Sequence, residues 1–141
     1  DMALDPSGSA LISSNAQPRL VRIDASSFEL TEYEIRLHEK EQWDTGFGAL
    51  VFGKDGALFA VTSSPGSLWK VDLGSASAQM VEVNAPLLNA CTLTAPSEGG
   101  QGAGTGITSL CIGRDDCRRI EISSDFARGR VAEAPCNNAQ R

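Results

Sequence analysis

Two stretches of the chain alternate apolar and polar residues with a period of two. Val21 and Ile23 face one way and Arg22 and Asp24 the other; Trp69 and Val71 oppose Lys70 and Asp72 in the same manner. That period is the signature of a β-strand with unlike faces. Val21 with Trp69 and Ile23 with Val71 are thus expected to be buried equivalently, and the charges to be exposed strand charges that limit edge pairing. Each stretch has the same surroundings. Upstream lie Ala10–Ser13 and Leu58–Thr62, apolar on both faces, as expected of a strand covered on two sides. Further upstream, Met2–Leu4 and Ala49–Phe52 run into the turns DPSG and GKDG, whose Asp, Pro and Gly supply the φ values a tight turn needs. Polar turns, SNAQPR and SSPGS, join the second strand to the third. Downstream, Glu32–Leu37 and Gln79–Val83 alternate again. Taken alone, residues 28–41 also fit an amphipathic helix, because Phe28, Thr31, Ile35 and His38 share a helical face. The corresponding second stretch is interrupted by Gly74 and serines and offers no helix, so both are read as strand.

Laid over itself at an offset of 48, the chain aligns residues 2–35 with 50–83 without a gap. Gly8 falls on Gly56, Leu20 on Leu68, Asp24 on Asp72, Ser27 on Ser75 and Glu34 on Glu82. Residue class agrees more widely: Leu4 meets Phe52, Leu11 meets Phe59, Arg22 meets Lys70 and Tyr33 meets Val81. Four short strands repeating every 40–50 residues or so is the pattern of propeller blades. A degraded third copy is expected over 107–134, with ITSLCIG, CRRIEIS and GRVAEA as its strands and RDD as a turn. Before it, PSEGGQGAGTG (96–106) lacks the lysine and hydroxyl of a phosphate-binding loop and is read as an exposed loop.

The segments ALDPSG-ALISSN-RLVRID and LVFGKDGALFAVTSS-SLWKVD resemble blades of the six-bladed β-propeller superfamily that includes NHL repeats, the SMP-30/gluconolactonase family and streptogramin-lyase-like proteins. The resemblance implies an all-β fold of repeated four-stranded antiparallel sheets, part of a β-propeller. It divides the chain into blade 1 (1–48), blade 2 (49–95), a Gly-rich loop (96–106) and a degenerate third blade with a disulfide-clipped tail (107–141). Closed propellers carry four or more blades, and a blade without a neighbour exposes an apolar sheet face. Three blades therefore imply another protein chain, a second copy of this one, or a longer parent propeller; the alternative is a sandwich whose sheets cover each other. The surface expected to seek a partner is Met2, Leu4, Leu11 and Ile12.

Composition narrows the setting. The 141 residues carry a formal charge of −6, which repels phosphate backbones and argues against nucleic acid as a partner. No apolar run reaches the roughly 18 residues of a membrane-crossing helix. Residue 1 is Asp, and no signal-peptide core follows it, as expected of a mature form after cleavage or of a piece of a longer chain. Cys91, Cys111, Cys117 and Cys136 all lie in the last third, with no Cys-x-x-Cys spacing, which argues against zinc. Cys111 and Cys117 flank the turn IGRDD. Pairs Cys111–Cys117 and Cys91–Cys136 are expected, and with them an extracellular or periplasmic location.

Candidates for chemistry are few. His38 is the sole histidine and is read as solvated. Metal-dependent lactonases of the resembled superfamily place an Asn ahead of the Asp-Gly turn, in a site that would take Ca²⁺. Gly48 and Ala49 stand there instead, and no cofactor is expected. Glu41, Asp44 and Asn89 sit near strand entries that would face a central channel, but suit solvated loops. Trp43, Trp69 and Tyr33 are too few for a row of sugar-stacking platforms. The expected function is a non-enzymatic secreted or periplasmic propeller module, acting in protein–protein interaction or as a structural subunit of a larger assembly. The alternative is a lactonase- or lyase-like enzyme whose channel site another chain completes.

Overall fold

The computed structural model describes residues 1–38, 46–53, 56–62, 66–84, 93–94, 108–112 and 118–131. These residues are all-β, with strands and turns and no helix among them, and the sheets have propeller-like curvature. Strands β1 (Met2–Leu4), β2 (Ala10–Ser13), β3 (Arg19–Ile23) and β4 (Leu30–Glu34) form a first antiparallel sheet in chain order. After β5 (Arg36–Leu37), strands β6 (Phe47–Phe52), β7 (Leu58–Thr62), β8 (Leu68–Asp72) and β9 (Ser77–Val83) form a second. A third consists of β10 (Leu93–Thr94), β11 (Thr108–Ile112), β12 (Arg118–Ile122) and β13 (Arg128–Val131).

The repeat extends to hydrogen-bonding register. Met2 pairs with Ile12, Leu11 with Arg22 and Leu20 with Tyr33. At an offset of 48, Leu50 pairs with Ala60, Phe59 with Lys70 and Leu68 with Val81. Turn chemistry fixes this register. Gly8 and Gly56 sit at φ +85° and +78°, where a side chain would be strained, and their N–H groups donate to the carbonyls of Asp5 and Gly53 at 2.9 Å. Asp5 and Gly53 in turn donate to Ser9 and Ala57, closing two hairpins of one geometry.

Three features depart from the sequence pattern. The alternation over 32–37 is divided between two strands: β4 ends at Glu34, and β5 leaves the first sheet to run parallel to β9 at Ser77 and Ala78. Strand β13 joins β9 farther along, parallel, through Glu82 and Val83. The third sheet opens with β10, a two-residue strand that no periodicity announces.

Alternation along the strands divides the core in two. Leu58, Ala60, Trp69 and Val71 face the first sheet and bury Leu11, Leu20, Ile35 and Leu37. Phe59, Val61, Leu68 and Val81 face the third sheet and bury Leu93, Ile120 and Ile122. The second sheet is thus covered on both sides, which is why β7 is apolar from Leu58 to Val61 and buried at every position.

Candidate interaction face

Directly opposed residues in a sheet point to the same side, so pairing register assigns the faces of the first sheet. Met2, Ile12, Val21 and Glu32 form one cross-strand row, and Leu4, Ala10, Ile23 and Leu30 a second. Both rows lie on the face turned away from the second sheet. Met2, Leu4, Ile12 and Leu30 of these rows, together with Phe28 of the β3–β4 turn, are 37–75% exposed, and they are the exposed large apolar side chains among the described residues. Val21 and Ile23 lie between them, half-buried.

The same rows in the second sheet are Leu50, Ala60, Trp69, Met80 and Phe52, Leu58, Val71, Ala78. There they are packed against the first sheet. Apart from Glu32, which stands where the second sheet has Met80, equivalent positions are therefore apolar in both copies, and differ in having or lacking a neighbouring sheet. This corrects two expectations. Val21 and Ile23 are not buried as Trp69 and Val71 are, because no sheet covers them among the described residues. Leu11 does not belong with Met2, Leu4 and Ile12: it occupies the alternate position of β2, faces the second sheet and is 1% exposed.

The turn residues repeat this geometry. Phe28, Ala76 and Phe126 are the described non-glycine residues with positive φ, at 59°, 49° and 59°, each in the turn between the last two strands of its sheet. Ala76 packs into the cluster shared with the first sheet. Phe126 packs on the second sheet, its ring 5.9 Å from that of Phe59 and 4.8 Å from the Lys70 ammonium. Phe28 is 75% exposed.

Charged groups rim the first sheet. Arg19 bonds Glu34 at 3.1 Å and lies 3.8 Å from Glu32. Arg22 bonds Asp5 at 3.1 Å, Asp24 at 3.2 Å and the Ser9 hydroxyl at 2.8 Å. The Ser27 N–H, then the hydroxyl and N–H of Ser26, hold the Asp24 carboxyl far below its ordinary range. Asp5 is lowered by the Ser7 hydroxyl first, then by Ser9 N–H and Arg22, against a partial cost of burial. The sequence pattern suits Arg22 and Asp24 to exposed strand charges. The structure makes them a half-buried brace that ties the β1–β2 turn to the end of β3. Asp72 is lowered in the same way, by Ser75 and the Gly74 N–H.

Of the residues considered for chemistry, His38 is exposed just after β5, its backbone N–H bonded to Ala78. Gly48 and Ala49 lie within β6. Glu41, Trp43, Asp44, Asn89, Cys91, Cys117 and Cys136 fall outside the described residues, and Cys111 is placed only by its pairing in β11. No group of three or more His, Cys, Asp or Glu suited to a metal ion occurs among the described residues. No helix there is long and apolar enough to cross a membrane.

Comparison with known proteins supports the fold. No protein-family model matches the chain, and no curated protein does. Among solved structures, the major allergen Mala s 1 of Malassezia sympodialis matches with a TM-score of 0.65 at 14% identity, over 95% of this chain and 40% of that one. Hydrazine synthase of Kuenenia stuttgartiensis matches with a TM-score of 0.58 at 14% identity, over 91% and 33%. The chain thus spans about two-fifths and one-third of the lengths of these proteins. At such identities the likeness concerns the fold.

Proposed function

We propose that the chain is a non-enzymatic β-propeller module, of the NHL, SMP-30 and streptogramin-lyase kind, that works by stacking a sheet face on another protein sheet. The observation that carries this reading is the first sheet's outer face: two rows, apolar except for Glu32, whose equivalents in the second sheet pack into the core. A face of this kind, rimmed by charges, is how an interaction surface differs from scattered surface apolar residues. The spans of the two structural matches, each more than twice as long as this chain, support a unit that belongs within a larger assembly. A secreted or periplasmic setting, with Cys111–Cys117 and Cys91–Cys136 as disulfides, fits the same role.

Light scattering against concentration tests the reading. The isolated chain should exceed its 14.9 kDa monomer mass as concentration rises, and F28D/L30D should return it to the monomer. A wild-type chain that stays a soluble monomer throughout would show that the face does not associate.

A further inference from the structure

We infer that the outer face of the first sheet receives one kind of partner: a four-stranded antiparallel sheet with leucine-sized apolar residues opposite Val21 and a lysine or arginine over Phe28. This rests on the stacking function proposed above and specifies the chemistry of the occupant.

The inference comes from the interfaces already present. In both, the forward face of one sheet meets the rear face of the next. The forward face of the first sheet offers Ala3, Leu11, Leu20 and Tyr33, with Arg22 in the row of Leu11. That of the second offers Val51, Phe59, Leu68 and Val81, with Lys70 in the row of Phe59. A leucine thus recurs at one position and a cation two residues on. Where the turn of the following sheet carries an aromatic, the cation lies over it, as Lys70 does over Phe126; ahead of Ala76, Arg22 instead bonds Asp5 and Asp24. Phe28 is the same kind of residue on the first sheet, exposed and held in a turn. An ammonium or guanidinium placed on its ring would gain from the aromatic quadrupole as Lys70 does.

A second copy stacked head to tail meets this description only in part, which makes self-association the weaker use of the face. The corresponding residues of the third sheet are Arg119, Glu121 and Arg130, paired in the register that in the second sheet joins Leu68, Lys70 and Gln79. Such a copy would press the Arg119 guanidinium onto Val21, burying a charge without a partner, and would bring toward Phe28 a Glu121 carboxylate to which Arg130 is already bonded at 2.7 Å.

The test transplants the forward face. The variant R119L/E121K/R130Q carries on its third sheet the leucine, lysine and glutamine of the second. Adding F28E blocks its own rear face, leaving a donor only. Sedimentation of trace-labelled wild-type chain with this donor should show a 1:1 complex, about tenfold or more tighter than with F28E alone, and restoring Glu121 should lose most of the gain. A donor with an unchanged β-sheet circular dichroism spectrum and no gain over F28E would overturn the inference. If the donor misfolds, R119L/F28E carries the same comparison. Wild-type self-association without any gain from the donor overturns only the occupant's chemistry and assigns the face to a second copy. Absence of both wild-type self-association and donor binding counts instead against the stacking function.

Discussion

Leu30 and Leu68 are leucines in sheets of one register, and their truncation should have very different consequences. Leu68 is fully buried between the second and third sheets, within the cluster of Phe59, Val81 and Ile120. Its replacement by Ala leaves a cavity walled by β-strands that cannot collapse far, at about 2–5 kcal/mol. Leu30 is 68% exposed, so only about a third of its surface is withdrawn from water. With about 1.5–3 kcal/mol for complete burial of a leucine, Leu30→Ala should cost about 0.5–1 kcal/mol. For a chain of this length 1 kcal/mol shifts the melting temperature by roughly 4 °C. Leu68→Ala should therefore melt about 8–20 °C lower and Leu30→Ala about 2–4 °C lower, followed by circular dichroism at concentrations where the chain is monomeric. Urea midpoints at unchanged slope should give the same order. A loss from Leu30→Ala equal to that from Leu68→Ala would mean that the outer face is covered in the free chain, as in a self-covered sandwich, and the reasoning about that face would fail.

Other expectations concern separate parts of the molecule. The folded-state Asp24 carboxyl is held below its ordinary value, so its contribution is complete above the unfolded pKa of about 3.9 and disappears as pH falls through the lower folded value. Acid unfolding of Asp24→Asn should accordingly be flatter below about pH 4 than that of wild type; parallel curves would remove Asp24 from the brace. Gly46 approaches the backbone of Asn15 and Ala16 so closely that a Cβ would collide with it, and the next residue, Phe47, donates to Ser14 at 2.7 Å. Gly46→Ala should thus cost at least about 1–3 kcal/mol, read from urea unfolding, and a neutral result would contradict this close passage. Alkylation without reductant should label none of the four cysteines, whereas labelling of all four would exclude both disulfides.

The repeat was legible in the sequence because it rests on local chemistry. The turns DPSG and GKDG impose the same hairpin, and the alternation at 21–24 and 69–72 sets opposite faces. What was not legible depends on neighbours. The run Ala10–Ser13 is apolar on both faces, so composition alone cannot say that Leu11 turns inward and Ile12 outward. Val21 and Trp69 are equivalent in pattern and differ in burial because of what lies across from them. The alternation from Glu32 to Leu37 gives no sign that the chain changes partner at Ile35. Strand β10 has two residues and no period to detect. The exposed apolar face proposed for interaction emerged only when register, exposure and repeat were combined: Met2, Leu4 and Ile12 could be named from the sequence, while Phe28 and Leu30 required the third dimension.

The double pairing of β9 has a consequence for solubility. At seven residues β9 is the longest described strand, and its outer edge would be an open template on which strands of other molecules could add. Arg36 and His38 donate to Ala76 and Ala78 at one end, and Glu82 and Asn84 donate to Ala127 and Gly129 at the other. The neighbouring repeats thereby cap both ends of the template, and the short stretch Gln79–Val81 left between them is too brief to seed a cross-β ladder. Amyloid-like growth is blocked along this edge, while face-to-face stacking stays available to the molecule.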